Sequence, residues 1–129
     1  MSGSPPPTDG EMAILQVLWR RGPSTVRDVH TELSTQRTIG YTTVLKMLQI
    51  MLEKRIVARE DSRRPHIYRP AQPPEQVQEG LVSALARKAF GGSASRLVMR
   101  ALSAKSTSRA ELAEIRQLLD SIDAARGEE

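Results

Sequence analysis

Four residues whose side chains can read or grip a nucleic acid fall at helical spacing within one short stretch: Thr42, Thr43, Lys46 and Gln49. A threonine hydroxyl bonds phosphate and its methyl touches a thymine methyl. A lysine ammonium reaches a guanine edge or a phosphate, and a glutamine carboxamide pairs with adenine. Tyr41 precedes them, where its ring can stack on sugar-phosphate or pack locally. Further on, Arg63 and Arg64 stand side by side in a polar turn, a pair suited to a minor groove or a phosphate backbone. A solvated helix face and a turn kept soluble by charge use the same residue types, so these residues alone leave both readings open.

Other chemistries find less to work with. Cysteine is absent, which removes disulfides, thiolate metal sites and thiol catalysis together. His30 and His66 lie 36 residues apart without acidic partners near them in sequence, so neither a metal site nor any other cofactor is expected. His30 reads as a partly exposed helix residue. Glu111 and Glu114 share a helix face with no histidine, cysteine or phosphate loop beside them, and an enzyme is not expected. Trp19, Tyr41, Tyr68 and Phe90 are the whole aromatic complement, too few for single-strand stacking platforms, which leaves a duplex as the nucleic acid to consider. Trp19 and Phe90 read as core.

The charge is lopsided. Over 129 residues the net charge is +4, and residues 1–70 hold 11 basic against 7 acidic side chains, whereas the remainder is balanced at 8 of each. The excess therefore sits where the candidate contacts lie, as a polyanionic partner would require.

The elements that must position these residues follow from periodicity and caps. Thr8 and Glu11 have the spacing of a capping box ahead of Met12, Leu15, Leu18 and Trp19, and Gly22-Pro23 ends the run, which predicts a helix over 9–21. Thr25 and Asp28 repeat the device before Val26, Val29 and Leu33. A third helix runs from Tyr41 to about Lys54, with Val44, Leu48, Met51 and Leu52 on its apolar face. Residues 55–59 and 65–69 read as two short strands about the polar turn that holds Arg63 and Arg64. Residues 71–74 form a proline-rich joint. Beyond it come a helix over 75–90 with Val77, Leu81 and Leu85, a break at Gly91-Gly92, and a short helix over 93–102 with Leu97 and Leu102. Ser108 and Glu111 then cap a last helix, in which Leu112, Ile115, Leu119 and Ile122 recur at heptad-like steps.

The expected fold is thus mainly α. Residues 1–8 are a flexible tail, residues 9–70 a winged helix-turn-helix of three helices plus a β-hairpin wing, and residues 71–129 a three-helix dimerisation domain. The carboxy-terminal helices have little to bury within so short a segment, and a second copy would supply the missing surface through Leu81, Leu85, Leu97, Leu102, Leu112, Ile115, Leu119 and Ile122. The longest apolar run, Met12 to Leu15, is far short of a membrane span, so no membrane insertion and a cytoplasmic location are expected.

The strings Tyr41-Thr42-Thr43-Val44, Leu48-Gln49, Ile67-Tyr68-Arg69-Pro70 and Phe90-Gly91-Gly92-Ser93, in that order and at those distances, resemble the penicillinase-repressor family of bacterial regulators (BlaI/MecI, with copper-responsive CopY relatives). The resemblance implies a homodimeric winged-helix repressor seated on an inverted repeat in operator DNA. It further implies control of β-lactam-response genes, relieved when a protease linked to a membrane sensor cuts the dimerisation domain. The family's Asn-Phe cut aligns with Arg100-Ala101, a different pair, and the cysteine-rich copper tail is missing. Arg55 stands where relatives usually have glycine at a left-handed helix cap, and Ile50 replaces a common arginine. A winged helix that contacts protein and a small-molecule-sensing regulator are the alternative readings.

Overall fold

The computed structural model describes residues 6–104 and 106–127. Residues 1–5 of the expected tail therefore lie outside the described residues. In order, the elements are α1 (Asp9–Arg21), α2 (Val26–Ser34), α3 (Tyr41–Glu53), β1 (Val57–Glu60), β2 (Ile67–Pro70), α4 (Pro74–Ala89), α5 (Ala94–Ala104) and α6 (Arg109–Gly127). The fold is mainly helical with one antiparallel hairpin, as the sequence pattern predicts.

Local chemistry sets the helix ends. The Thr8 hydroxyl accepts from the Glu11 amide at 3.2 Å while the Glu11 carboxylate accepts from the Thr8 amide at 2.9 Å. Thr25 with Asp28 opens α2 in the same reciprocal way, as Ser108 with Glu111 opens α6. Gly22, at φ 94°, ends α1 in a conformation that few other residues adopt. The end of α3 is less comfortable. Arg55 sits at φ 64°, its amide bonding the Leu52 carbonyl and the next amide, that of Ile56, bonding Met51. This is a Schellman closure with a side chain where glycine is favoured, so the expected left-handed cap is present and carries strain. Strand β1 consequently begins only at Val57, after the chain has left that turn.

The hairpin pairs Val57 with Pro70, Ala58 with Arg69, Arg59 with Tyr68 and Glu60 with Ile67. Sequence pattern misses a further pairing. Ser24, in the turn between α1 and α2, exchanges both backbone hydrogen bonds with Tyr68, at 2.9 and 2.8 Å. Strand β2 is thereby bonded on both edges.

The core draws Ile14, Leu15, Val17 and Leu18 from α1, Val26, Val29 and Leu33 from α2, Val44, Leu48 and Met51 from α3, and Val57 and Tyr68 from the hairpin. Leu52 is half-buried at its margin, as is Trp19, whose indole N–H is buried with no acceptor among the described residues. At the edge of this core Glu11 is only 4% exposed and accepts from Lys54 Nζ at 2.8 Å, tying the first turn of α1 to the residue that caps α3. Burial alone would push the Glu11 carboxyl up. The bonds from Lys54 and Thr8 outweigh it and hold the group below its ordinary value.

The chain falls into two compact units, the first ending at Ala84 and the second beginning at Leu85. Gly91 and Gly92, both at positive φ, end α4 after Ala89. Among the described residues of α4, α5 and α6, Ala86 alone is buried. Phe90 is half-buried and lies outside the first unit's core.

Two stability predictions follow from these contacts. Because the folded pKa of Glu11 is depressed, its contribution is complete above the ordinary carboxylate range and is lost as pH falls through the folded value. Lys54→Met should cost about 1 kcal/mol in urea titration at neutral pH and move acid unfolding to higher pH. Arg55→Gly should raise stability by about 1 kcal/mol, read as a higher melting temperature, because it removes left-handed strain without touching the core.

Candidate nucleic-acid interface

Helix α3 turns Val44, Leu48 and Met51 inward, with Leu45, Met47 and Leu52 half-buried at the margin of the core, so that its opposite face meets water. Thr42, Thr43, Lys46 and Gln49 are all exposed on that outer face, as the sequence spacing predicts. Tyr41, the first residue of α3, is also exposed, and its ring meets that of His30 edge-on with centroids 5.8 Å apart. His30 donates through Nε2 to the Ile39 carbonyl at 2.9 Å. It thus acts as a strut for the segment leading into α3.

The electrostatics of this helix start differ from those of α1, α2 and α6. Those three carry a capping carboxylate in the first turn, whereas Gly40 caps α3 with no side-chain bond and the first turn holds no acidic residue. The positive end of the α3 dipole is therefore left uncompensated, beside two threonine hydroxyls and one turn before Lys46. Acidic groups on the neighbouring helix are already engaged. Asp28 lies 3.2 Å from Arg21, and Glu32 lies 3.4 Å from Arg20 and 3.6 Å from Arg21.

Arg63 and Arg64 are exposed in the tip of the hairpin, where the Arg64-Pro65 peptide is cis. Neither these two nor Lys46 forms an ion pair among the described residues. Arg59, by contrast, is held by Asp61, which accepts from its Nε and Nη2. That bond, helped by the charge of Arg64, keeps the Asp61 carboxyl below its ordinary value. Arg59 is thus neutralised within the hairpin, whereas the two arginines at its tip form no ion pair among the described residues.

A groove of about 440 Å³ brings α3 and the hairpin together. Its walls are Thr25, Val26 and Arg27 from the start of α2, Tyr41 and Leu45 from α3, and Pro65, His66 and Tyr68 from the hairpin. The start of α3 and the tip-proximal part of the hairpin therefore share one side of the first unit. Arg27 is an exposed cation on this wall that sequence reasoning did not single out. Its position in the first turn of α2, one residue after an apolar core position, is the signal that marks it in retrospect.

The eight residues expected at a subunit contact are distributed as follows. Leu85, Leu102, Leu119 and Ile122 are exposed, Leu119 to 55%. Leu81, Leu97, Leu112 and Ile115 are half-buried. Val82, Val98, Met99 and Leu118 add further exposed apolar surface on the same three helices. Arg100 and Ala101 are exposed within α5.

Three tightly joined helices, a hairpin bonded to the turn between the first two, and an outward polar face on the third define a winged helix. The family described as penicillinase repressor matches residues 7–121, and the chain belongs to that family. Two relatives, both described as transcriptional regulator BlaI and both from Mycobacterium tuberculosis (strains CDC 1551 and H37Rv), are 40% identical over 87 residues. That alignment takes in 66% of this chain and 63% of each relative, so the chain spans less than two thirds of their length. The fold is also that of Bacillus licheniformis BlaI, solved in solution as a monomeric form in complex with the blaP half-operator. The TM-score is 0.50 at 24% identity, covering 58% of this chain and 92% of that one.

On immobilised heparin, a generic polyanion, Lys46→Ala, Arg63→Ala and Arg64→Ala should each elute at lower salt than the native protein. Asp61→Asn, which releases Arg59, should elute at higher salt. Elution of Asp61→Asn with the native protein would mean that the Arg59 pair does not restrain the hairpin's charge.

Proposed function

We propose that this chain is a sequence-specific DNA-binding transcriptional repressor acting as a homodimer on an inverted-repeat operator. The observation that carries the reading is the outer face of α3, exposed, largely polar and uncapped by any carboxylate, with a groove beside the helix start whose far wall is Pro65, His66 and Tyr68 of the hairpin, next in sequence to the exposed Arg63 and Arg64. A helix about 10–12 Å across fits a major groove, with its exposed face against the base edges. Thr42 and Thr43 then bind phosphate or a thymine methyl, Lys46 a guanine or phosphate, Gln49 an adenine, and Tyr41 the sugar-phosphate edge. Arg63 and Arg64 reach the backbone or the adjoining minor groove. The family and the names of the relatives point the same way.

In this reading residues 9–70 bind DNA and residues 71–129 hold the dimer. Exposed Leu85, Leu102, Leu119 and Ile122, with half-buried Leu81, Leu97, Leu112 and Ile115, supply an apolar surface that a second copy would cover. Two modules spaced about one DNA turn apart gain affinity and specificity that one module lacks. Loss of the dimer would release the operator. Cleavage at Arg100-Ala101 by a protease linked to a membrane sensor is one route, and it requires α5 to open locally, because a protease takes its substrate extended.

The test is footprinting on the promoter region of the chain's own gene. The native protein should protect a two-fold symmetric site. Thr43→Ala and Lys46→Ala should each weaken protection by roughly tenfold, in line with about 1–3 kcal/mol for a good base contact. Arg64→Ala should lower the salt dependence of binding by about one phosphate contact. Sedimentation should give twice the chain mass for the native protein and a lone chain for Leu119→Asp. An asymmetric footprint would remove the dimer, and no protection at all would favour a protein-binding winged helix.

A further inference from the structure

The outer face of α3 carries one aliphatic side chain among its polar ones. Ile50 is 46% exposed and shares that face with Thr42, Thr43, Lys46, Gln49 and Glu53. It is not a core residue that has slipped outward, because the inward stripe is already complete with Val44, Leu48 and Met51 at zero exposure. At 3.6 residues per turn Ile50 lies within about 20° of the Thr43 meridian, two turns further on, and directly follows Lys46 by one turn. Thr43, Lys46 and Ile50 therefore form one stripe about 10 Å long, comparable with three base-pair steps.

Position and surroundings decide what such a side chain can meet. An aliphatic group is no partner for a phosphate, and neither is Glu53, the next exposed residue along the helix, which forms no ion pair among the described residues. This half of the face is thus poorly made for backbone contact and better made for base edges. In the major groove the apolar feature of a base edge is the thymine C5 methyl. We infer that Ile50 is a specificity-determining residue that selects thymine by packing on that methyl. The inference rests on the DNA-binding reading above and adds to it a base preference for the carboxy-terminal half of α3.

Deoxyuridine differs from thymidine by that methyl alone, so it isolates the contact. The full chain is used to enrich the tightest duplex from a random pool, the protected positions are mapped, and each thymine among them is replaced in turn by deoxyuridine. At one position per half-site the native protein should lose about fourfold in affinity, the scale of one buried methyl. Ile50→Val should keep most of the difference, and Ile50→Ala should bind the thymine and uracil duplexes alike. Equal thermal melts of Ile50→Ala and native protein establish that the surface change leaves the fold intact. Native protein that binds both duplexes equally, a protected site without thymine, or Ile50→Ala that still discriminates would each overturn the inference. Enrichment of no duplex would defeat the DNA-binding reading itself, and the assignment of Ile50 with it.

Discussion

The rotation of α3 about its own axis is the constraint on which the candidate interface depends. Val44, Leu48 and Met51 have no exposed surface, and each meets side chains from α1, α2 or the hairpin in a single closed core. Turning the helix by one residue, about 100°, would open that core and carry its polar face toward it, at a cost of several kcal/mol for the buried apolar groups alone. The outward presentation of Lys46 is thus fixed by residues that never touch a ligand. The Glu11–Lys54 bond adds a second restraint at the opposite end of α3, where a buried carboxylate holds the cap residue against α1.

Much of this was legible in the sequence because the signals are local. Three reciprocal caps, the Gly22 stop and the apolar periods of α1 to α3 each involve residues within a few positions of one another, and the structure holds them where the pattern puts them. The left-handed turn at Arg55 was visible only through resemblance, since nothing in an arginine announces a positive φ. What stayed hidden depends on pairing across distance. The bridge from Ser24 to Tyr68 spans more than forty residues through backbone atoms, which leave no mark on side-chain pattern. Arg27 acquires meaning only when the hairpin folds back to make the far wall of its groove.

The two units solve the problem of burial differently. The first closes a core from twelve apolar residues and has its hydrogen bonds, caps and ion pairs arranged around it. The helices α5 and α6 have regular apolar stripes but leave most of those side chains in water, and capping at Ser108 secures the start of α6 without giving it anything to pack on. In α1 to α3 tertiary packing does most of the work of holding the helices, whereas an isolated helix of the length of α5 is marginal in water.

The double bonding of β2 gives the hairpin an uneven stiffness. Strand β2 is held by β1 along its length and by Ser24 at Tyr68, one pair from the tip, while the stretch from Asp61 to Pro65 projects past the last paired residues, Glu60 and Ile67. Arg63 and Arg64 are accordingly carried at the end of a short tether with a rigid anchor. An arm so short forfeits little freedom when it settles on a partner, because only a handful of torsions are left to arrest.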